Sequence, residues 1–207
     1  LTGYTFNPIT VSTSAPVAEV MKTYIPSPIE QETFARQIVG NISTQSGTLV
    51  EDKGQFEFYT HKQLHTVGMV NLGVKLDEIM SDVSFKEKEM TRKYGLIYSF
   101  KRTFFTLDID IPKKLIKEEL KDADKAKGAS YVSSVGYGRV GLLIVESDTD
   151  SRDVKLAIDK VLADEPLSPE ETSLLSTVDL CYVYFDEDKN VQVQKGSLDV
   201  VNAYKDG

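Results

Sequence analysis

Residues 131–147 read YVSSVGYGRVGLLIVES, and the reading of this stretch decides the fold. Its second half, Val140 to Val145, is an unbroken apolar run of the kind a buried strand needs. Yet Gly136, Gly138 and Gly141 sit inside it, where glycine removes side-chain packing and adds backbone freedom. A strand that tolerates three glycines is expected to bend sharply or to let another part of the chain come close to its backbone. The only other segment of comparable length without a turn signal is Thr91 to Ile111. It is rich in aromatic and β-branched residues and would extend roughly 70 Å at about 3.3 Å per residue. A strand so long needs a long partner, so Thr91–Ile111 and Ala129–Glu146 are expected to be adjacent and antiparallel.

The rest of the chain arranges itself around this pair. Residues 1–30 carry Pro8, Pro16, Pro26 and Pro28 and suit an extended arm or edge strands. ETFARQIVGNI reads as a short helix ended by Gly40, and QFEFYTH, Gln55 to His61, as a strand with Phe56 and Phe58 on one face. Leu64, Val67 and Leu72, then Leu76, Ile79, Met80 and Val83, have helical spacing. Leu115, Ile116, Leu120 and Ala123 form a narrow apolar stripe, which predicts a surface helix over 113–128 closed by Gly128. A second helical insert is expected over 152–176, with a capping box from Ser168 to Glu171 and Pro169 at the first helical position. TVDLCYVYF and VQVQ read as a strand pair across DEDKN, and SLDVVNAY as a closing helix. The order predicts an α+β fold: a long, bent antiparallel sheet of about four core strands flanked by helical clusters. Residues 1–54 would form an arm and short helix packed on a core of 55–207.

Composition excludes several classes of function. A formal charge of −8 repels the nucleic-acid backbone and offers little to an anionic membrane surface. One cysteine, Cys181, gives no disulfide framework and reads as a small core residue. No stretch reaches the roughly 20 apolar residues of a membrane helix, and a first residue other than methionine suggests a trimmed chain. His61 and His65 are four apart, as in some zinc pairs, but no third ligand stands near, so no metal or cofactor is expected. DTDSRD begins like a calcium loop, but Arg152 stands at its fifth position and no glycine at its sixth, so it reads as helix entry with Asp caps. There is no phosphate-cradling Gly-Lys motif or Gly-x-Ser-x-Gly elbow, and the carboxylates are spread along helices and turns. An enzyme is not expected.

KRTFFTLDIDIPK and YVSSVGYGRVGLLIVES, followed by SRDVKLAIDKVL, closely resemble the pore-forming core of the cholesterol-dependent, or thiol-activated, cytolysins, within the wider perforin-like superfamily. HKQLHTVGMVNLGVKLDEIMSDVSF resembles the helical lead-in to that core, and LDVVNAY the helix after its last strand pair. The resemblance covers roughly residues 55 to 205, and its most specific mark is Tyr137, Gly138 and Arg139. It implies a bent, twisted sheet whose two helical clusters unravel into transmembrane hairpins, in a secreted or surface-exposed bacterial pore-forming toxin that self-associates. It also implies that Gly136, Tyr137, Gly138, Arg139 and Gly141 serve sheet bending and assembly.

Three departures limit that expectation. There is no counterpart of the family's tryptophan-rich, cholesterol-binding C-terminal domain; the chain has no tryptophan. In the two expected inserts, 113–128 and 152–176, neither alternation of residues is free of charge, and Pro166 and Pro169 would each remove a ladder hydrogen bond. Where the family has a flexible glycine pair in its edge-release loop, this chain has Tyr184 and Phe185. The family's strand-pairing aromatic is matched by Phe105, but Val178 stands at its partner position. The sequence therefore predicts a component of a pore-forming or membrane-attack-like assembly that is not lytic alone, does not bind membranes in isolation and relies on a partner protein for membrane contact. The alternative is a non-lytic interaction or self-association module on the same scaffold.

Overall fold

The computed structural model describes residues 3–18, 20–41, 50–72, 75–76, 90, 92–110, 113–125, 127–128, 130–185 and 191–207. The chain divides into two compact units, residues 1–50 with 103–138, and residues 51–102 with 139–207. Its described strands form one large sheet in the order β2-β1-β4-β5-β6-β7, with β3 also paired to β4. These strands are β1 (Ile9–Thr13), β2 (Met21–Tyr24), β3 (Val50–Phe58), β4 (Tyr94–Asp110), β5 (Ser134–Ser147), β6 (Asp179–Phe185) and β7 (Val191–Gly196). The helices are α1 (Pro28–Asn41), α2 (His61–Leu72), α3 (Asp122–Lys125), α4 (Ser151–Leu162), α5 (Pro169–Leu175) and α6 (Leu198–Asp206). The two long strands, of 17 and 14 residues, are hydrogen-bonded neighbours as expected, and the fold is α+β.

In the unit of 51–102 and 139–207 the sheet is covered on both faces, and the period of two in a strand sorts its residues between them. Leu96, Tyr98 and Phe100 of β4, Leu143 and Val145 of β5, and Leu180 and Tyr182 of β6 pack against α4, α5 and α6 through Val154, Ile158, Leu175 and Val201. The alternate residues Ile97, Leu142, Ile144, Cys181 and Val183 pack against Phe58 and Leu64 on the other face. This explains the unbroken apolar runs: both faces are interior, so there is no polar alternation. Cys181 is buried. The entry to α4 is capped by Asp150, whose carboxylate accepts from the Arg152 backbone amide at 2.9 Å. The capping box joining Ser168 and Glu171 is formed, with Pro169 inside the first turn of α5.

In the unit of 1–50 and 103–138, β1 pairs antiparallel with the end of β4, Thr10 opposite Asp110 and Thr13 opposite Leu107. Phe34, Ala35 and Ile38 of α1 pack with Val11, Phe105 and Leu107. The helix expected over 113–128 is corrected here: among the described residues only α3, a single turn, forms within it. Residues 114–118 instead bend along the N-terminal arm and pair with it through one bridge. Asn7 donates its backbone amide to the Leu115 carbonyl and Lys117 to the Thr5 carbonyl, each at 2.9 Å, and Phe6 bridges Ile116. The physical reason is that five apolar residues in sixteen, two of them alanines, bury too little to hold a helix, whereas the arm supplies ready backbone partners.

Smaller expectations shift by a few residues. α1 continues through Gly40 to Asn41, and β3 begins before Gln55 and ends at Phe58, with His61 opening α2. The helix expected around Ile79 to Val83 and the DEDKN turn lie outside the described residues.

Candidate functional site

Tyr137 stacks on Phe105 with ring centroids 4.9 Å apart and an interplanar angle of 9°, and Gln31 donates to its hydroxyl at 3.4 Å. Gly136 faces the Thr103 side chain, where a Cβ would lie 3.4 Å from its methyl. Gly138 is exposed. Arg139 donates to the Gly207 carbonyl at 3.3 Å. Gly141 is buried, and a Cβ there would lie 2.4 Å from the Phe100 ring and 3.0 Å from Tyr182. At Gly141 the glycine is required by close approach. The same device recurs at Gly95, where a Cβ would come within 2.5 Å of the Phe58 ring. The division between the two units falls after Arg102 in β4 and after Gly138 in β5, so the glycine run of β5 straddles it.

Phe105 is thus placed against Tyr137 in the cluster of the first unit, while Val178 is buried in the α4–α6 cluster of the second. Tyr184 and Phe185 end β6. That strand lies between β5 and β7, with Gly141 opposite Tyr184 on one side and Leu180 to Phe185 opposite Gly196 to Val191 on the other. The outer side of β6 is therefore covered along its length. Tyr184 stacks on Tyr182, centroids 4.7 Å apart, and its hydroxyl accepts from Gln194 of β7 at 3.1 Å. Burial, then the neighbouring Tyr184, pushes the Tyr182 hydroxyl up to about 12.

Two polar clusters escaped the sequence reading. His61 Nε2 lies 2.8 Å from Glu146 Oε1, with side chains 3% and 8% exposed. The signal was present: Glu146 is a lone acid closing an apolar run, and His61 opens a helix. The Nδ1 of His65 has no hydrogen-bond partner, and among the described residues no group of three or more His, Cys, Asp and Glu could hold a metal ion. Arg92 bridges two strand ends, Nε to Asp179 and Nη1 to Asp148, each at 2.8 Å.

The Arg92 hydrogen bond holds the Asp148 carboxyl below its ordinary value, and Arg102, then Lys53, does the same for Glu51. A carboxyl with a lowered folded value binds fewer protons folded than unfolded. Its contribution is complete above the unfolded value, about 4, and is lost as pH falls through the lower folded one. The urea midpoint is expected to fall on acidification below about pH 4, and Arg92→Gln to remove part of that slope. A pH profile identical in the variant would contradict this role.

The family model described as thiol-activated cytolysin matches residues 52–203, and the chain belongs to that family. Among solved structures, it is similar to a non-hemolytic pneumolysin from Streptococcus pneumoniae, with 20% identity and a TM-score of 0.75 over 98% of this chain and 47% of that one. It is also similar to the human-specific toxin intermedilysin, with 21% identity and a TM-score of 0.70 over 97% of this chain and 47% of that one. Listeriolysin O matches with 16% identity and a TM-score of 0.65, over 98% and 47% of the respective chains. The chain spans about half the length of these structures. A sequence comparison with curated proteins finds no match.

Proposed function

We propose that this chain is a core component of a pore-forming, membrane-attack-like assembly, secreted or held on the bacterial surface, and not lytic by itself. Family membership supports the pore-forming class rather than an enzyme. The observation that carries the second half is the covered edge of β6: all of Leu180 to Phe185 is paired with β7, so β6 offers no strand template to another copy until that hairpin opens. Bulky Tyr184 and Phe185 restrict the backbone entering the turn, where glycines would loosen it.

The inserts on the sheet differ in what they could become. A membrane strand needs about 9 to 11 residues alternating apolar and polar. The α4–α5 segment carries charges in both alternations and two prolines. In α2, by contrast, Leu64, Thr66, Gly68, Val70 and Leu72 fall on one alternation, against His65, Val67, Met69 and Asn71 on the other. Met69 and Val70 are 41% and 76% exposed, so the apolar residues of this segment are not all spent in the core. α2 is therefore the better membrane-facing candidate, and a partner protein would supply the membrane contact that frees it. A non-lytic self-association module remains the second reading, favoured by the composition of α4–α5.

A liposome dye-release assay tests the proposal. No release is expected from the isolated chain, and release by it alone would sink the idea of a closed edge. The double variant Tyr184→Gly/Phe185→Gly removes the Tyr182 stack and the Gln194 hydrogen bond. Amide exchange in Val191 to Gln194 is expected to quicken by about tenfold or more, with α4 unaffected. Unchanged exchange there would show that these side chains do not hold the edge.

A further inference from the structure

The unit of 51–102 and 139–207 contains a cavity of about 320 Å³ lined by Lys53, Phe100, Arg102, Asp159, Tyr204 and Lys205 among others. Its volume lies at the lower end of small-molecule sites, about 300 to 1,000 Å³. Arg102 is held in place on two sides. Its Nε donates to Glu51 at 2.8 Å, and its guanidinium lies 4.5 Å over the centre of the Phe100 ring. Those contacts leave both Nη groups with no partner among the described residues, although the side chain is only 21% exposed.

Tyr204 is fixed in the same way. Its ring lies 5.3 Å from Phe100 and 5.6 Å from Tyr182, and the residue is 7% exposed. Its hydroxyl has no hydrogen-bond partner among the described residues, and burial raises its ordinary value, so it stays a neutral donor. Neither donor is sealed from water, since His65 Nδ1 alone is a buried side-chain atom without a partner among the described residues, so both stand open at the cavity wall to an acceptor.

The charges around the cavity favour an anion. Lys53 and Arg102 share the one carboxylate of Glu51, Lys205 pairs with Asp164, and Asp159 is matched by Lys155. The wall itself carries three cations, Lys53, Arg102 and Lys205, against one carboxylate, Asp159, in a chain whose net charge is −8.

We propose that this cavity is a receptor for a phosphate monoester, its tetrahedral oxygens taken by the Nη fork of Arg102 and the hydroxyl of Tyr204, with Lys53 completing the charge. A planar fork pre-set by a carboxylate and a ring matches two phosphate oxygens at once. Asp159 at the wall is an acceptor for a hydroxyl of the organic part. The inference does not rest on the pore reading.

Titration calorimetry of the whole chain with glycerol 3-phosphate, with glycerol as control, tests it. Sedimentation with phosphatidylcholine vesicles, with and without phosphatidic acid, separates a soluble ester from a lipid headgroup as the source of the phosphate. Saturable binding of either phosphate source is expected, with none to glycerol or plain vesicles. Tyr204→Phe breaks no hydrogen bond among the described residues, so its unfolding midpoint should not fall, while its affinity drops by about tenfold. Arg102→Gln should lose more. Absence of saturable binding up to about 10 mM of ester together with none to phosphatidic acid vesicles overturns the proposal. So does equal affinity in both variants and the unmodified chain.

Discussion

Replacing Glu146 with alanine is expected to destabilise the fold by about 1 to 3 kcal/mol, the cost of taking the acceptor out of a buried hydrogen-bonded pair. The His61 and Glu146 side chains meet at 2.8 Å and are almost fully excluded from water. Glu146 lies near the end of β5 and His61 opens α2, so the pair fastens that helix to the sheet beside Leu64, which is itself fully buried. Removing the carboxylate takes one acceptor from the imidazole in an interior where water cannot replace it. The double variant His61→Leu/Glu146→Leu separates this account from simple loss of packing. Replacing both members with apolar residues should cost less than Glu146→Ala alone, because no orphaned polar group remains. Urea unfolding of the single and double variants measures both. A double variant as damaging as the sum of its singles would mean that the two side chains act independently.

That pair also marks where sequence reading reaches its limit. The two-faced burial of β4, β5 and β6 was legible because apolar runs such as Leu142 to Val145 carry no polar alternation, and the capping box at Ser168 because it is local. The family was legible in the glycine-bearing strand and its flanks. Partners distant in sequence were not: His61 and Glu146 are 85 residues apart. The pairing of Asn7 with Leu115 likewise turned a weak apolar stripe into a non-helical, bridge-paired segment, because backbone partners outweigh a marginal helix propensity. The stacking of Phe105 on Tyr137 is a third case, since the sequence offered only Val178 as the matched position.

Gly141→Val is expected to destabilise the unit of 51–102 and 139–207 by about 3 kcal/mol or more, at the upper end for overpacking a core. Even the first added carbon would lie 2.4 Å from the Phe100 ring, well inside contact distance. That ring has little freedom to retreat, with Arg102 over its face at 4.5 Å and Tyr204 tilted against it at 5.3 Å. On the other side, Tyr182 lies 3.0 Å from the new carbon and is packed edge-on against Tyr204. The glycine in β5 thus gives up β-propensity so that an aromatic cluster can close over its backbone. Gly136 has no such neighbour, since a Cβ there meets only the Thr103 side chain at ordinary contact distance. Gly136→Ala should therefore be near neutral, or slightly stabilising through reduced freedom of the unfolded chain. Thermal unfolding of the two variants, followed by near-ultraviolet circular dichroism for the tyrosines, makes the comparison. If Gly141→Val unfolded at the same temperature as Gly136→Ala, the close approach of Phe100 would not be what requires a glycine in the middle of this strand.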